Sequence, residues 1–460
     1  MMIVTHRGPF SFSVRDDGGF EAKRGAGGLV SALLPLVDAG IGDGRERVAW
    51  IAATIDDDDR AALEAGGATV PGLDLHLLAL DPAQHRLHYD IVSNATLWFL
   101  HHGLFDLPRR PRFDEHFRTA WQGYIDVNQT FANAVIEAAA HGERVLVHDY
   151  QLALVPGMVR AARPDLSMVH FTHTPFCGPN SIRVLPTDIA VVLCRSMASV
   201  PAGFHTARWA QAYEASARTV LGIEAPIRRP FATPLGPDPD ALAEDSAAAF
   251  ASGRVQEVDE FVGDRKLILR SDRIDPAKNI VRGFHAYDQM LASHEEWRER
   301  VVFVARLTPS RENLAEYLAY RQEVEQAAAR VNNRWARGDW QPVVVDTLDD
   351  YERSVAAFTR YDVLLVNPLK DGLNLVAKEG PLVNQRDGVL CLSPEAGSFD
   401  ELRDAVVPVH PYDISQQAGA LHTALTMPVG ERAHRARRLR ALVALHTPRS
   451  WLDELLRHSA

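Results

Sequence analysis

Short apolar runs bounded by turn residues recur along this chain, with helical periodicity in the stretches between them, and that alternation most narrows its choice of fold. The runs Ile3–Thr5, Val145–His148, Met168–Thr172, Leu267–Arg270, Val301–Ala305, Val343–Val345, Val363–Val366 and Val389–Leu392 read as buried strands. Within Ala120–Ala140 the residues Tyr124, Val127, Phe131 and Val135 share one helical stripe, and Glu312–Trp335 is a second amphipathic stretch. Strands that alternate with helices pair in parallel, so the predicted class is α/β.

A chain of 460 residues is too long for one core, since single cores stop growing near roughly 250–300 residues. The string RRPFATPLGPDPDA at Arg228–Ala241, with its four prolines, divides the alternating elements into two sets and marks the expected boundary. A hydrophobic fraction of 46% and a charged fraction of 24% are those of a soluble globular protein. Forty-nine basic against 60 acidic residues leave a net charge of -11, which argues against nucleic-acid or anionic-membrane partners. Three cysteines (Cys177, Cys194, Cys391) form no disulfide framework, and there is no CxxC pair. No run approaches 18 apolar residues, and Met1–Phe10 lacks a signal-peptide core, so a cytoplasmic location is expected. The acidic run Asp56–Asp59 and the alanine patch Ala247–Ala251 read as solvated surface.

Four segments could carry chemistry. The first is Thr5-His6-Arg7-Gly8-Pro9 with Arg24-Gly25-Ala26-Gly27-Gly28-Leu29, glycines after a strand and before the apolar run Leu29–Leu34. Such a turn can bring backbone N–H groups to a phosphate, but a plain tight turn accounts for it equally well. It fits neither GxGxxG nor a P-loop. The second is Val147-His148-Asp149-Tyr150-Gln151-Leu152, which puts Asp149 at the carboxyl end of a strand, where open sheets bind ligands. His173 ends the next strand, and three-residue spacing turns His170 to the opposite side, so the pair is not a metal site. No Cys/His ligand cluster, HExxH helix or GxSxG elbow is apparent.

The third segment runs from Arg270 to Asn279. Arg273 and Lys278 flank a proline turn beyond a strand, where two cations can neutralise a diphosphate or simply hold a salt-bridged loop. The fourth is Asn367–Glu379, a strand running into a Gly-containing loop and a helix, with Asp371 and Glu379 suited to sugar and ribose hydroxyls. An N-cap Asp and a solvated Glu are the plain alternative. Arg311, in Thr308-Pro309-Ser310-Arg311, is a further cation just beyond a strand.

Taken together these segments resemble the family 20 glycosyltransferases, over most of the chain from Ile3 to about Leu402. Arg273 with Lys278 five positions on matches the family's sugar-nucleotide loop, and Asp371 through Glu379 matches DGxNLVxxE without a gap. Asp149, with His173 24 residues later, matches the VHDYxL segment and its histidine. Tyr89 and Trp98 match an acceptor-side pair, and Arg7 and Arg311 the phosphate-binding arginines. The resemblance implies GT-B architecture, two facing Rossmann-like domains with a cleft between them. The acceptor domain would be residues 1–236 plus a returning helix in 441–460 (SWLDELL at Ser450–Leu456), and the donor domain residues 237–440.

It also implies a retaining hexosyltransferase of the trehalose-6-phosphate synthase type, moving glucose from UDP-glucose or GDP-glucose to glucose 6-phosphate. Arg273, Lys278, His173 and Asp371 would be catalytic. Gly27, Gly28, Gly372, Asn374, Leu375 and Glu379 would join Arg273, Lys278 and Asp371 in holding the donor. Arg7, Tyr89, Trp98, Asp149 and Arg311 would hold the acceptor. No cofactor and no metal are implied, and Asp238-Pro239-Asp240 in the proline-rich linker reads as a turn rather than a metal-binding DxD. A homo-oligomer is compatible with the sequence but not specified by it.

The acceptor side departs from the family pattern. Cys177 stands in HTPFC where the family has a proline, GPNSIRVLP and RSMASVPAGFHTARW differ from the usual synthase sequence, and the segments IRVLP and Gly380–Asp387 resemble the validamycin pseudo-glycosyltransferase branch. Alternative readings are therefore transfer to another phosphorylated acceptor, as in glucosylglycerol-phosphate synthase or a cyclitol-phosphate transferase, or a non-catalytic sugar-phosphate sensor. About 80 residues follow the last donor signature, too few for an additional phosphatase domain.

Overall fold

The computed structural model describes residues 1–15, 18–25, 28–38 and 48–459. Its internal contacts divide the chain into two units, Met1–Pro234 with Pro448–Ala460, and Leu235–Thr447.

The first unit is built on strands β1 (Met2–Arg7), β4 (Ala49–Ala53), β5 (Asp74–Leu78), β6 (Arg144–His148), β7 (Ser167–Thr172), β8 (Ala202–Phe204) and β9 (Phe231–Ala232), with a hairpin of β2 (Phe10–Val14) and β3 (Phe20–Arg24) outside the sheet. The seven sheet strands are parallel in the order β5-β4-β1-β6-β7-β8-β9. From β1 the chain first fills one side and then returns to add β6 on the other. The carboxyl ends of β1 and β6 therefore flank a topological switch point, the place where open α/β sheets bind ligands. Arg7 ends β1 and Asp149 follows β6. The strand alternation predicts this sheet only in part. The alanine-rich β4 is not among the predicted runs, yet all five of its residues are buried between β1 and β5.

The helix Glu115–Ala138 covers this sheet with Phe117, Tyr124, Val127, Phe131 and Val135 on its buried face. It starts earlier than the stripe Ala120–Ala140 suggests, because the Asp114 side chain caps it by accepting from the Phe117 N–H at 3.2 Å. The acidic run is not wholly solvated, contrary to expectation. Asp59 is buried, with Oδ1 accepting from Phe12 N–H at 2.8 Å and Oδ2 from Ile55 N–H at 2.9 Å. A carboxylate with two backbone donors can be buried at tolerable cost.

In the second unit, β10 (Lys266–Arg273), β11 (Val301–Thr308), β12 (Val343–Asp346), β13 (Val363–Val366), β14 (Val389–Leu392) and β15 (Val407–Pro408) form a parallel sheet in the order β12-β11-β10-β13-β14-β15. The same reversal occurs here, so the switch point lies between β10, which ends at Arg273, and β13, which leads to Asp371. Both faces are covered, which is why these strands read as continuous apolar runs.

Three smaller expectations need correction. Ala249 in the alanine patch is fully buried against Val255 and Ala356. The segment 441–447 belongs to the second unit, because Val443 is buried in that unit's core; the helix that joins the first unit is Pro448–Ser459. The string Asp238-Pro239-Asp240 opens a helix, with the Asp238 side chain accepting from the N–H groups of Asp240 and Ala241. No helix among the described residues is long and apolar enough to cross a membrane.

Candidate active site

Asp149 and His173 come together in the first unit. Asp149 takes a positive φ of 70°, a cost for a non-glycine residue that tertiary contacts must hold in place. Its N–H donates to Phe171 O at 2.7 Å, while its Oδ1 accepts from the N–H groups of Tyr150 (3.1 Å) and His173 (3.2 Å). His173 lies one residue beyond β7, so strand alternation does not govern its side chain. Its Nε2 is 3.2 Å from His148 Nδ1, and its Nδ1 is 3.1 Å from His205 Nε2. Buried His148 Nε2 has no partner. If His148 donates to His173 and His173 to His205, the unpaired atom is an acceptor rather than a donor, the cheaper arrangement. Burial, helped by His170, holds His173 far below its usual range at about 3, so it is neutral near pH 7. No sequence spacing gives His148 or His205 a role; only the fold shows that they flank His173.

The expected acceptor residues occupy several places in this unit. Arg7 is exposed, and its guanidinium lies 5.6 Å from the centre of the Tyr89 ring. Tyr89 stacks on buried His6 at 4.8 Å. Tyr89 lies in a wide π-type helix, Leu87–Leu97, a form that is rare and concentrated at functional sites. Trp98 follows directly and is buried, stacked on His102 at 4.0 Å. Cys177 is buried, its N–H donating to His101 and its carbonyl accepting from Ser216. Gly28 opens the helix Gly28–Asp38, whereas Gly27 lies outside the described residues.

The two donor motifs of the second unit meet directly, although 93 residues separate them: Lys278 Nζ donates to Asp371 Oδ2 at 2.6 Å. Burial lowers the Lys278 pKa, but the carboxylates of Asp371 and Asp272 outweigh it, and the ammonium is retained. Asp272 is held by fully buried Arg270, which also donates to Asn367 Oδ1 and to the Lys278 carbonyl. This network fixes the turn that carries Lys278, and no spacing in the sequence signals it. Arg273, at the end of β10, is exposed and makes no ion pair among the described residues.

Asn374, at a φ of 77°, donates to Asp371 Oδ2 and caps the helix Val376–Val383 by accepting from Ala377 N–H. The Gly372 carbonyl passes so near Gly397 that a Cβ there would lie 2.0 Å from it, so the loop packs backbone on backbone. Leu375 sits at the helix start, half-buried. Glu379 lies in that helix's first turn, where burial, with Asp245 second, pushes its carboxyl up to about 7. Tyr351 feels both carboxylates and hydrogen-bonds to Asp245. Arg311 is largely buried and lies 3.7 Å from Asp275.

One group of potential metal ligands gathers among the described residues, which the absence of a sequence motif did not suggest. His294, Glu296 and His422 place ligand atoms within 4.8 Å of one another, the two imidazoles stacked face to face. This group lies past the far end of the helix Ile280–Ser293 from Lys278, so it is not part of the donor motifs.

Two Rossmann-like parallel sheets, each with polar groups at its switch point, define the GT-B class of fold. The chain belongs to glycosyltransferase family 20, whose model matches residues 1–460. It is 32% identical over 482 residues to the trehalose-6-phosphate synthase of Mycobacterium bovis, a match that takes in 99% of this chain and 93% of that protein. It is 29% identical to alpha,alpha-trehalose-phosphate synthase [UDP-forming] A of Dictyostelium discoideum, of whose greater length it spans 61%. The UDP-forming alpha,alpha-trehalose-phosphate synthase of Burkholderia xenovorans, crystallised with glucose-6-phosphate, superposes with a TM-score of 0.83 at 28% identity, over 100% of this chain and 99% of that one.

Proposed function

We propose that this protein transfers glucose from UDP-glucose to glucose 6-phosphate with retention, giving α,α-trehalose 6-phosphate and UDP. The observation that carries the proposal is the 2.6 Å contact of Lys278 with Asp371, which joins a phosphate-type cation to a hydroxyl-type carboxylate at the switch point of one sheet. The family, and relatives named as UDP-forming synthases, support the donor and the acceptor.

Breaking the glucose–diphosphate bond places negative charge on the leaving phosphate. Arg273 and Lys278 stabilise that charge, with Lys278 shared between the phosphate and Asp371. The leaving phosphate oxygen takes the proton of the acceptor hydroxyl as the new bond forms on the same face of the sugar. Two protein cations supply the counter-charge, so the proposed mechanism requires no metal. Asp371 holds glucose hydroxyls and Glu379 the ribose, while Gly372, Asn374 and Leu375 shape the donor loop. His173, neutral and fixed between two imidazoles, contacts the transferred glucose. Arg7 and Arg311 hold the sugar phosphate, and Tyr89, Trp98 and Asp149 the acceptor sugar.

Mass spectrometry of products tests this reading, with UDP-glucose and GDP-glucose each offered glucose 6-phosphate and glycerol 3-phosphate. The expected result is a disaccharide phosphate from UDP-glucose and glucose 6-phosphate. A glycerol product alone would replace the acceptor assignment. No turnover in any combination would favour a sensor.

A further inference from the structure

Asp275 is a fully buried carboxylate inside the donor turn, and the mechanism above gives it no role. Its two oxygens do different things. Oδ1 accepts from the Ala277 N–H at 2.9 Å, capping the short turn Pro276–Lys278 that presents Lys278. Oδ2 accepts from the Tyr317 hydroxyl at 3.2 Å and lies 3.7 Å from Arg311 Nη1. Arg311 Nη1 donates to the same Tyr317 hydroxyl. The proton order is then fixed: the guanidinium donates to the phenol oxygen, and the phenol donates to the carboxylate.

The backbone makes such support necessary. Arg311 has a φ of 50°, in the left-handed region that a residue with a Cβ enters only when its surroundings hold it there. Tyr317 is itself buried, two residues into the helix Ala315–Trp335, so its hydroxyl is a fixed point. A long arginine side chain has much rotamer freedom to lose, which a bidentate grip on a ligand must otherwise overcome. Holding one edge of the guanidinium in advance reduces that loss.

We propose that Asp275 is a positioning residue that fixes Arg311, through Tyr317 and its own charge, for the phosphate of the acceptor. The same carboxylate ties that arginine to the turn bearing Lys278. The proposal rests on reading Arg311 as a ligand of the sugar phosphate. Asp275 would then act on acceptor recognition although it lies in the donor sequence motif.

Steady-state kinetics on the full chain decide it. Asp275→Asn keeps an acceptor for Ala277 but presents an uncharged amide to Tyr317 and Arg311. Loss of a charge-assisted hold on this scale should raise KM for glucose 6-phosphate about tenfold, with KM for UDP-glucose and kcat each within about twofold. Tyr317→Phe should shift the same constant in the same direction by a smaller factor. In an Arg311→Ala background, Asp275→Asn should add little, because its target is gone. If Arg311→Ala raises the acceptor KM while Asp275→Asn and Tyr317→Phe leave it unchanged, the positioning role is overturned and the reading of Arg311 stands. If Arg311→Ala leaves it unchanged, both fall. Equal increases in donor and acceptor KM would mean that Asp275 only shapes the turn, which also overturns the proposal. Should Asp275→Asn fail to fold, as judged by thermal unfolding, Tyr317→Phe carries the decision, because it leaves the Oδ1 cap intact.

Discussion

Glu379 shows most clearly how one side chain is set for work at a cost to the fold. Its carboxyl sits at about 7 instead of the ordinary 4.5, because burial, and then the charge of Asp245, disfavour ionisation. A folded-state pKa raised in this way means that the native protein holds the proton more tightly than the unfolded chain. The resulting stability is fully present below about 4.5 and is lost as pH rises through about 7. Glu379→Gln removes this dependence, so its Tm should exceed that of the wild type most at pH 8, and the gain should shrink toward pH 5. The same substitution should weaken UDP binding at pH 8, because an amide accepts two ribose hydroxyls less well than a carboxylate does. Calorimetry at both pH values checks both effects. A Tm difference independent of pH would show that Glu379 is not the titrating group, and unchanged UDP affinity would remove it from the ribose. His173 behaves differently, since at about 3 it adds no ionisation to any rate profile above pH 5.

At the scale of elements, single buried carboxylates tie neighbouring segments together. Asp59 joins β2 to the start of the helix Asp57–Glu64 by accepting from Phe12 and from Ile55. Asp59→Ala would leave two N–H groups without their acceptor, at roughly 1.5–3 kcal/mol for each charge-assisted bond and less where water can enter. Its Tm should fall by several degrees, with early amide exchange in Phe10–Val14. Unchanged exchange there would mean that the hairpin is held by its own ladder. This contact also marks where the sequence is legible and where it is not. Val363–Val366 and Leu267–Leu269 announce themselves as strands because both faces are covered and every residue is apolar. The strand β4 (AWIAA) is a weaker signal, because three of its five residues are alanine, which has little strand preference, although Trp50 and Ile51 make it an apolar run. The hairpin does carry a sequence signal, the alternation FSFSV before Asp17-Gly18. The candidate site divides in the same way. Lys278, Asp371 and Glu379 stand in runs of distinctive spacing, whereas His148 and His205 gain meaning only from ring contacts across 25 and 32 residues. Spacing along a chain identifies motifs; it does not show which side chain will lean on another.

The whole molecule is built from a continuous second unit and a first unit completed by the chain's last described helix. The core clusters of the second unit lie within Leu235–Thr447, so they are complete before Pro448 is reached. The first unit waits for Pro448–Ser459, which packs on β6 and β7 and places Trp451, fully buried, edge-on to Phe171 at 5.1 Å and 5.9 Å from the rings of both His148 and His173. The indole thus forms one wall of the imidazole chain that fixes His173. Its N–H is buried without a partner, so the ring is held by packing alone. Two substitutions separate its volume from its polarity. Trp451→Ala should cost about 3–5 kcal/mol, the scale for truncating a buried aromatic, and should lower kcat as His148 and His173 relax into the space. Trp451→Phe keeps most of the contact and deletes the unsatisfied donor, which recovers part of the lost packing, so its stability should stay within about 1.5 kcal/mol of the wild type. Denaturant unfolding together with single-turnover glucose transfer measures both. If Trp451→Ala destabilises the protein but leaves the transfer rate intact, the helix closes the fold without organising His173. If Trp451→Phe is as damaging as Trp451→Ala, the indole makes a specific contact that packing does not describe. A matched loss of stability and rate in Trp451→Ala, largely absent in Trp451→Phe, would show that a residue some 280 positions from His173 helps set the geometry of that ring.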